Sequence, residues 1–302
     1  MEVPVNDGDD LTQGVLHASA ARVLRYAAFT YQGRGGNPAG VLLDAADLDD
    51  SVRLAVAAQV GYSETAFVEA QGGDRQYRMR FFSALAEVAF CGHATIAAAV
   101  AITDRDGPGL LQFSTVAGLV AVQTRVTPEG TTATLTSVPT HTRPAQTEEL
   151  DRALSALGWH HSDLDPIYPA HVAYGGNEHL VLAVRERPLL AGLNYDFPSL
   201  GTLMAQQAWT TVQLVWAESP TVFHARDPFP PGGVIEDPAT GAAAAAFGGY
   251  LRTLGLVDVP GHITILQGED MGHPSRLLVH LSTGDDRVEV TGTAAPITSV
   301  GT

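Results

Sequence analysis

Cys91 and His93 stand two residues apart in FCGHATIAAA, residues 90–99, at the start of an alanine-rich run. A thiol at a helix N-terminus is biased toward the thiolate, which suits acid/base or nucleophilic chemistry. The commoner use of a free cysteine is as a small buried residue, here packed at the helix entrance. His93 falls in the first helical turn, after a glycine, where an anion docks readily; a structural histidine is its plain alternative. Glu64, in GYSETAFV (61–68), lies between a helix and an apolar strand. A half-buried carboxylate at such a junction suits a general base, and a helix or strand-edge glutamate is the alternative. Asp237, in EDPATGAAAA, precedes a second alanine-rich run by one turn, where it fits either an N-cap or an acid group of a site. WHHSDLD (159–165) has metal-like residue types but reads as a solvated loop.

These side chains need elements to hold them. RVLRYAAFT (22–30) has a strand pattern, and YQGRGGNPAG is a glycine-rich turn entering an apolar strand. SVRLAVAAQVG (51–61) reads as an amphipathic helix closed by Gly61. ETAFVEA and RQYRMRFF alternate as strands, HATIAAAVAI (93–102) reads as a buried helix, and residues 109–138 read as a meander. The second half repeats this plan. GGNEHLVLAV (175–184) echoes GGNPAGVLL (35–43), and residues 221–251 echo 77–102: a strand with an arginine, an acidic loop, a glycine, then an alanine-rich helix. Alanine-rich helices are slender and apolar, so each suits the interior of a curled sheet. Two lobes are expected; if they face each other, both helix N-termini point into one cleft, a site for an anion such as a carboxylate.

The totals narrow the chemistry. The chain has 302 residues and 45% hydrophobic content, enough for one large or two medium domains. Its formal charge of −16, with no basic cluster, opposes nucleic acid and anionic membrane surfaces. All 17 positive side chains are arginines. Without lysine there is no Schiff base, P-loop or Ser-Lys site. One cysteine excludes an internal disulfide, a Cys-x-x-Cys pair and a multi-cysteine zinc site. GRGGNPAG lacks dinucleotide spacing, and no Gly-x-Ser-x-Gly elbow occurs. An acidic N-terminus and the lack of a long apolar run point to a cytoplasmic protein. The expected division is a flexible leader at 1–20, an N-terminal lobe at 21–127 completed by a C-terminal strand at 286–300, and a C-terminal lobe at 128–285.

GNPAGV (36–41), SETAFV (63–68), RFF (80–82), EVAFCGHAT (87–95), EDPATGAAAAAFGGYL (236–251) and QGEDMGHPS (267–275) occur in order over residues 22–300. Together they resemble the phenazine-biosynthesis isomerase-like family, related to diaminopimelate epimerase and proline racemase. The resemblance implies an α+β fold of two similar lobes, each a curled mixed sheet around a central helix. It implies a homodimer, a site in the cleft, a small carboxylic-acid substrate, and no cofactor or metal. It places the proton-carrying carboxylate at Glu64, with His93 and Asp237 as its catalytic companions. Asn37, Ser63, Cys91, Gly92, Gly241 and Ala242 would line the substrate. In the racemase relatives a second thiol sits near the Asp-Pro segment; Asp237 and Pro238 stand there, so two-thiol chemistry is excluded. Ala242 replaces a serine of the phenazine enzyme, which puts the phenazine substrate in doubt. His273 replaces a more usual arginine.

The resulting expectation is a cofactor-independent isomerase in which Glu64 moves a proton between carbons, with Cys91 a packing residue. The alternatives are an epimerase or dehydratase of an amino or hydroxy acid, with Glu64 or Cys91 as base, and a non-catalytic protein that binds a small acid.

Overall fold

The computed structural model describes residues 16–298. The chain forms two compact units: one of residues up to 28, 38–133 and from 294 onward, the other of 29–37 and 134–293.

In the first unit the strands are β1 (Leu24–Ala28), β2 (Asn37–Leu42), β3 (Thr65–Ala70), β4 (Gln76–Phe82), β5 (Glu87–Val88), β6 (Leu110–Thr115), β7 (Gly118–Thr127) and β8 (Gly130–Thr136). Helix α1 is Asp50–Val60 and α2 is Gly92–Asp106. Parallel neighbours need a crossover, and the helices supply it. β2 runs parallel to β3 through α1, and β4 runs parallel to β6 through β5 and α2. Antiparallel pairs β3–β4 and β6–β7 complete a mixed sheet. α1 starts at Asp49, whose side chain accepts from Val52 N, and ends at Gly61 in the left-handed conformation. Its apolar face (Val52, Val56, Ala57) packs on Leu42, Phe67 and Phe82. α2 is buried on all sides from His93 to Thr103. It packs against β1, β3 and β7, and the Thr103 hydroxyl donates to Thr124 Oγ1 at 2.8 Å. Five alanines in this stretch (Ala94, Ala97, Ala98, Ala99, Ala101) keep the helix thin enough for the sheet to curl around it.

The second unit holds β9 (His141–Pro144), α3 (Thr147–Leu157), β10 (His171–Tyr174), β11 (Glu178–Ala183), α4 (Arg187–Ala191), α5 (Phe197–Gln207), β12 (Trp209–Ser219), β13 (Val222–Phe229), β14 (Val234–Asp237), α6 (Gly241–Thr253), β15 (Gly261–Gln267) and β16 (Ser275–Leu281), with most of β17 (Val288–Pro296). β11 runs parallel to β12 through α4 and α5, β12 pairs antiparallel with β13, β13 with short β14, and β13 runs parallel to β15 through α6. β15 then turns back along β16. This is the connectivity of β2 to β7, so the echo read in the sequence is a repeat of topology. α6, buried from Ala243 to Leu251, is the counterpart of α2. An outer layer of α3 and α5 packs Leu154, Leu157, Leu200, Leu203 and Met204 onto β11 and β12. The fold is α+β, with a mixed sheet around a central helix in each unit.

The units divide within β2, β8 and β17. Residues 29–37 therefore belong to the second unit, although the sequence echo assigned Gly-Gly-Asn 35–37 to the first lobe. The reason is local. Gly35 has φ +63°, and a Cβ there would lie 2.2 Å from Pro274 O, while Gly36 N donates to that same oxygen at 3.1 Å. The matching Gly175 packs on α6, where a Cβ would lie 2.6 Å from Ala246 N. The expected leader at 1–20 falls mostly outside the described residues. Residues 16–21 are helical, with Ser19 and Ala20 buried, so that end of the leader belongs to the fold. Among the described residues no helix is long and apolar enough to cross a membrane.

Candidate active site

Two groups of the singled-out residues come together, one in each unit. In the first unit Glu64 occupies the junction between α1 and β3. Its backbone carbonyl accepts from Gly40 N, which fixes the residue at the end of the parallel β2–β3 pair. Cys91 is the N-cap of α2 and makes no side-chain cap hydrogen bond. Its thiol turns toward Glu64, with Sγ 3.6 Å from Oε2, and lies 3.4 Å from His93 Nδ1. His93 Nε2 stands 3.4 Å from the same Glu64 oxygen and 3.5 Å from Ser63 Oγ. The Glu64 side chain keeps 15% of its exposure and His93 only 7%. The two His93 Nε2 contacts are long for hydrogen bonds, whereas the Cys91 thiol donates to Glu64 Oε2 at an ordinary sulfur distance. Gly92 begins the helix, and no acidic residue occupies its first turn. The positive end of the α2 dipole therefore faces this group without a competing charge. Cys91 is buried, as a packing residue would be, and its sulfur also contacts Glu64 and His93.

In the second unit Asp237 ends β14. It does not cap α6: the N-cap is Thr240. Asp237 Oδ2 instead accepts from Thr240 Oγ1 at 2.6 Å, and Oδ1 accepts from Asn37 Nδ2 at 2.7 Å. Asn37 is buried and also donates to Ala239 O at 3.1 Å. Both protons of the Asn37 amide, expected from sequence to line the substrate, are directed at the Asp237 turn. Gly241 and Ala242 form the first turn of α6, which also lacks an acidic residue.

Sequence reasoning missed the support of Asp237. Gln267 is buried, donates to Asp237 O at 2.7 Å and accepts from Thr240 N at 3.2 Å. The QGEDMGHPS segment thus works as a latch on the Asp-Pro turn. Arg226 and Glu236 form a buried bidentate pair across β13–β14. Asp227 lies opposite Asp237 in the same ladder and is fully buried. The Gln213 amide, its nitrogen turned toward it, donates to both carboxyl oxygens at 2.9 and 3.0 Å. Thr211 Oγ1 contacts Asp227 at 3.4 Å and His179 Nδ1 at 2.8 Å. Burial pushes the His179 imidazole down to about 3. No motif marks these residues, because alternation along β11, β12 and β13 says which side chains face inward but not that polar ones meet there. WHHSDLD is largely solvated: His161 is exposed and pairs with Asp151 at 2.7 Å.

Burial, and next the neighbouring Asp237, raise the Asp227 carboxyl well above the usual carboxylate range. The folded state therefore holds a proton that the unfolded state loses at about pH 4. Stability from this group is fully present below that range and is lost as pH rises toward the folded-state value. Asp227→Asn removes the linkage. The expected result is a Tm gain over wild type that is larger at about pH 8 than at about pH 4, measured by thermal denaturation in matched buffers; equal differences at the two pH values would show that Asp227 ionises normally in the fold.

Comparison with known proteins shows the family. The family model described as phenazine biosynthesis-like protein matches residues 26–300. An isomerase of Deinococcus radiodurans, itself called uncharacterized, is 30% identical over 287 residues, covering 90% of each chain. The trans-2,3-dihydro-3-hydroxyanthranilate isomerase of Pseudomonas chlororaphis is 28% identical over 262 residues, covering 85% of this chain and 90% of its own. In fold, the crystal structure of the Bacillus anthracis phenazine biosynthesis protein of the PhzF family superposes with a TM-score of 0.82 at 24% identity, covering 91% of this chain and 96% of that one. The family match over residues 26–300 and a relative 30% identical over 90% of each chain place this protein among the isomerases of the phenazine biosynthesis-like family.

Proposed function

We propose that the protein is a cofactor-independent isomerase that moves a proton between carbons of a small carboxylic acid, with Glu64 as the proton carrier. The observation behind this reading is the Glu64 carboxylate itself: partly buried, beside His93 Nε2 at 3.4 Å, at the dipole-positive end of α2. Glu64 removes a proton from a carbon made acidic by an adjacent carboxylate or an allylic system. Negative charge develops on the substrate as it leaves. The α2 N-terminus and His93 offset that charge, where preorganised dipoles act most strongly. Protonated Glu64 then delivers the proton to another carbon. Asp237 is held from two sides by Asn37 and Thr240 at the entrance of the second central helix.

A carboxylate–thiol epimerase is less well supported. Two bases that work on opposite faces of one carbon must stand on either side of it. Cys91 Sγ and Glu64 Oε2 are 3.6 Å apart and leave no room for a carbon between them. The trans-2,3-dihydro-3-hydroxyanthranilate of the Pseudomonas chlororaphis relative is one member of the proposed substrate class, but Ala242 supplies only a methyl group to bind it.

The test is proton exchange in heavy water. Pure protein is incubated with a panel of cyclic unsaturated, amino and hydroxy carboxylic acids that includes the relative's substrate. Carbon-bound deuterium is followed by mass spectrometry, with Cys91→Ala in parallel. Label at a new carbon in both proteins supports the reading. Label lost in Cys91→Ala favours the thiol as base, and tight binding without label favours a binding protein.

A further inference from the structure

The repeat of topology lets one unit be read against the other. In the first unit Arg80 bonds Glu87 across β4–β5, at 2.7 Å through both Nε and Nη2. In the second, Arg226 bonds Glu236 across β13–β14. The registers match as well. Phe82 faces Glu87 and Phe81 faces Val88, as Pro228 faces Glu236 and Asp227 faces Asp237. The fold therefore fills one ladder position with an apolar pair in the first unit and with two carboxyls in the second. Phe81 and Asp227 are both fully buried. Like charges directly opposed destabilise a ladder, so the acid pair carries a cost that the apolar pair avoids, as functional positions do.

The surroundings of Asp227 offer no free positive charge. Alternation along the strands turns Arg226 and Glu236 to the other face, where they satisfy each other. His179 on β11 is uncharged at neutral pH, and Thr211 and Gln213 on β12 are neutral. Two adjacent carboxyls without a cation keep one charge between them, because each ionised group opposes the other. Asp237 presents two acceptors, as a carboxylate does: Oδ1 to Asn37 at 2.7 Å and Oδ2 to Thr240 at 2.6 Å. Asp227, enclosed by neutral groups, keeps the proton.

Thr240 joins the two acids. Its hydroxyl has one proton and two lone pairs. It donates to Asp237, accepts from Gln267 Nε2 at 3.1 Å, and stands close enough to Asp227 to act on that carboxyl. One proton can pass along this chain. The Asp227 O–H bond breaks as a bond to Thr240 Oγ1 forms, the Thr240 proton moves to Asp237 Oδ2, and the negative charge appears on Asp227. No oxidant or further reactant takes part.

We infer that Asp227, Thr240 and Asp237 share a single proton, and that Asp227 is a positioning residue that arms Asp237 as an acid. The pair stands on the geometry above; its use in turnover rests on the proton-transfer reading.

Infrared spectroscopy of the full chain detects the pair without a substrate. At neutral pH the wild type is expected to show the carbonyl band of a protonated carboxylic acid, shifted in heavy water. Asp227→Asn should remove it. Asp237→Asn should keep it but lower the pH at which it disappears, because the charge opposing ionisation of Asp227 is gone. No band, a band that survives in Asp227→Asn, or an unchanged midpoint in Asp237→Asn overturns the pair. Heavy-water exchange of substrate then tests the positioning role. Asp227→Asn keeps the side-chain size but has no proton to give. It is also the variant expected to gain Tm at about pH 8, so lost exchange would not come from unfolding. Its exchange should fall by about tenfold or more, less than for a group that meets the substrate, and the alkaline limb of the wild-type pH profile should vanish. Thr240→Val should behave alike, and Thr240→Ser, which restores the hydroxyl, should recover exchange. Full exchange with an unchanged pH profile in Asp227→Asn, or Thr240→Val as active as Thr240→Ser, overturns the positioning role and leaves the proton-transfer reading standing. A wild type that exchanges no substrate proton fails that reading and the positioning role together, while the infrared titration still decides the pair.

Discussion

Glu64→Gln is expected to fold normally and to lose proton exchange by about a thousandfold or more, the loss typical of removing a positioned acid/base group. The substitution keeps shape and volume. The introduced amide retains an oxygen that can still accept from the Cys91 thiol, now at 3.6 Å, and the contact with His93 Nε2 is already long at 3.4 Å, so little stability is lost. The amide cannot accept and return a proton at neutral pH. Loss of label in heavy water with an unchanged Tm would therefore isolate chemistry from folding. His93→Gln should show a smaller loss, because the α2 dipole still faces the developing charge. Full exchange by Glu64→Gln would remove Glu64 from the mechanism and move attention to Cys91.

Arg226→Met is expected to carry the largest stability cost. The Arg226–Glu236 side chains are only 9% and 7% exposed. Arg226 Nε donates to Glu236 Oε2 at 2.8 Å, and Nη1 donates to Ala191 O at 2.8 Å and Leu190 O at 3.2 Å. The methionine strands a buried carboxylate and two carbonyls, and a broken buried pair costs about 3–5 kcal/mol. Removing both charges is less harmful than removing one, because no lone charge remains. Arg226→Met with Glu236→Leu should thus recover a large part of the loss. Urea denaturation of wild type, both single variants and the double variant gives the coupling directly. Single-variant costs below about 1 kcal/mol, as for an exposed pair, would show that solvent reaches the pair. The effect should extend to Asp237: Glu236 is its neighbour in β14, and the pair anchors that short strand to β13.

Much of the architecture was legible because periodicity and composition act locally. The helix at 50–60 and its Gly61 stop, the two alanine-rich central helices and the strands flanking them follow from apolar spacing, turn residues and small side chains. The order of strand, acidic loop, glycine and alanine-rich helix announced a repeat, and pairing shows that the repeat is one of topology. Glu64, His93 and Asp237 were legible for the same reason, as polar residues placed at element ends within apolar surroundings. The sequence thereby determined the family, the α+β class and which side chains stand at the entrances of the two central helices.

Tertiary structure decided what those side chains do to one another. Cys91 read as packing; it is buried, and its sulfur turns toward Glu64 and His93, a direction set by the extended backbone of the N-cap and not by residue type. Asn37, expected to line the substrate, donates to Asp237, 200 positions away in the chain. Gln267, Asp227 and the Arg226–Glu236 pair carried no motif at all. Polar partners inside a mixed sheet are chosen by strand register and by parallel crossovers, which join residues far apart in sequence. Local patterning fixes which way a side chain faces, and only the closed fold determines what it meets.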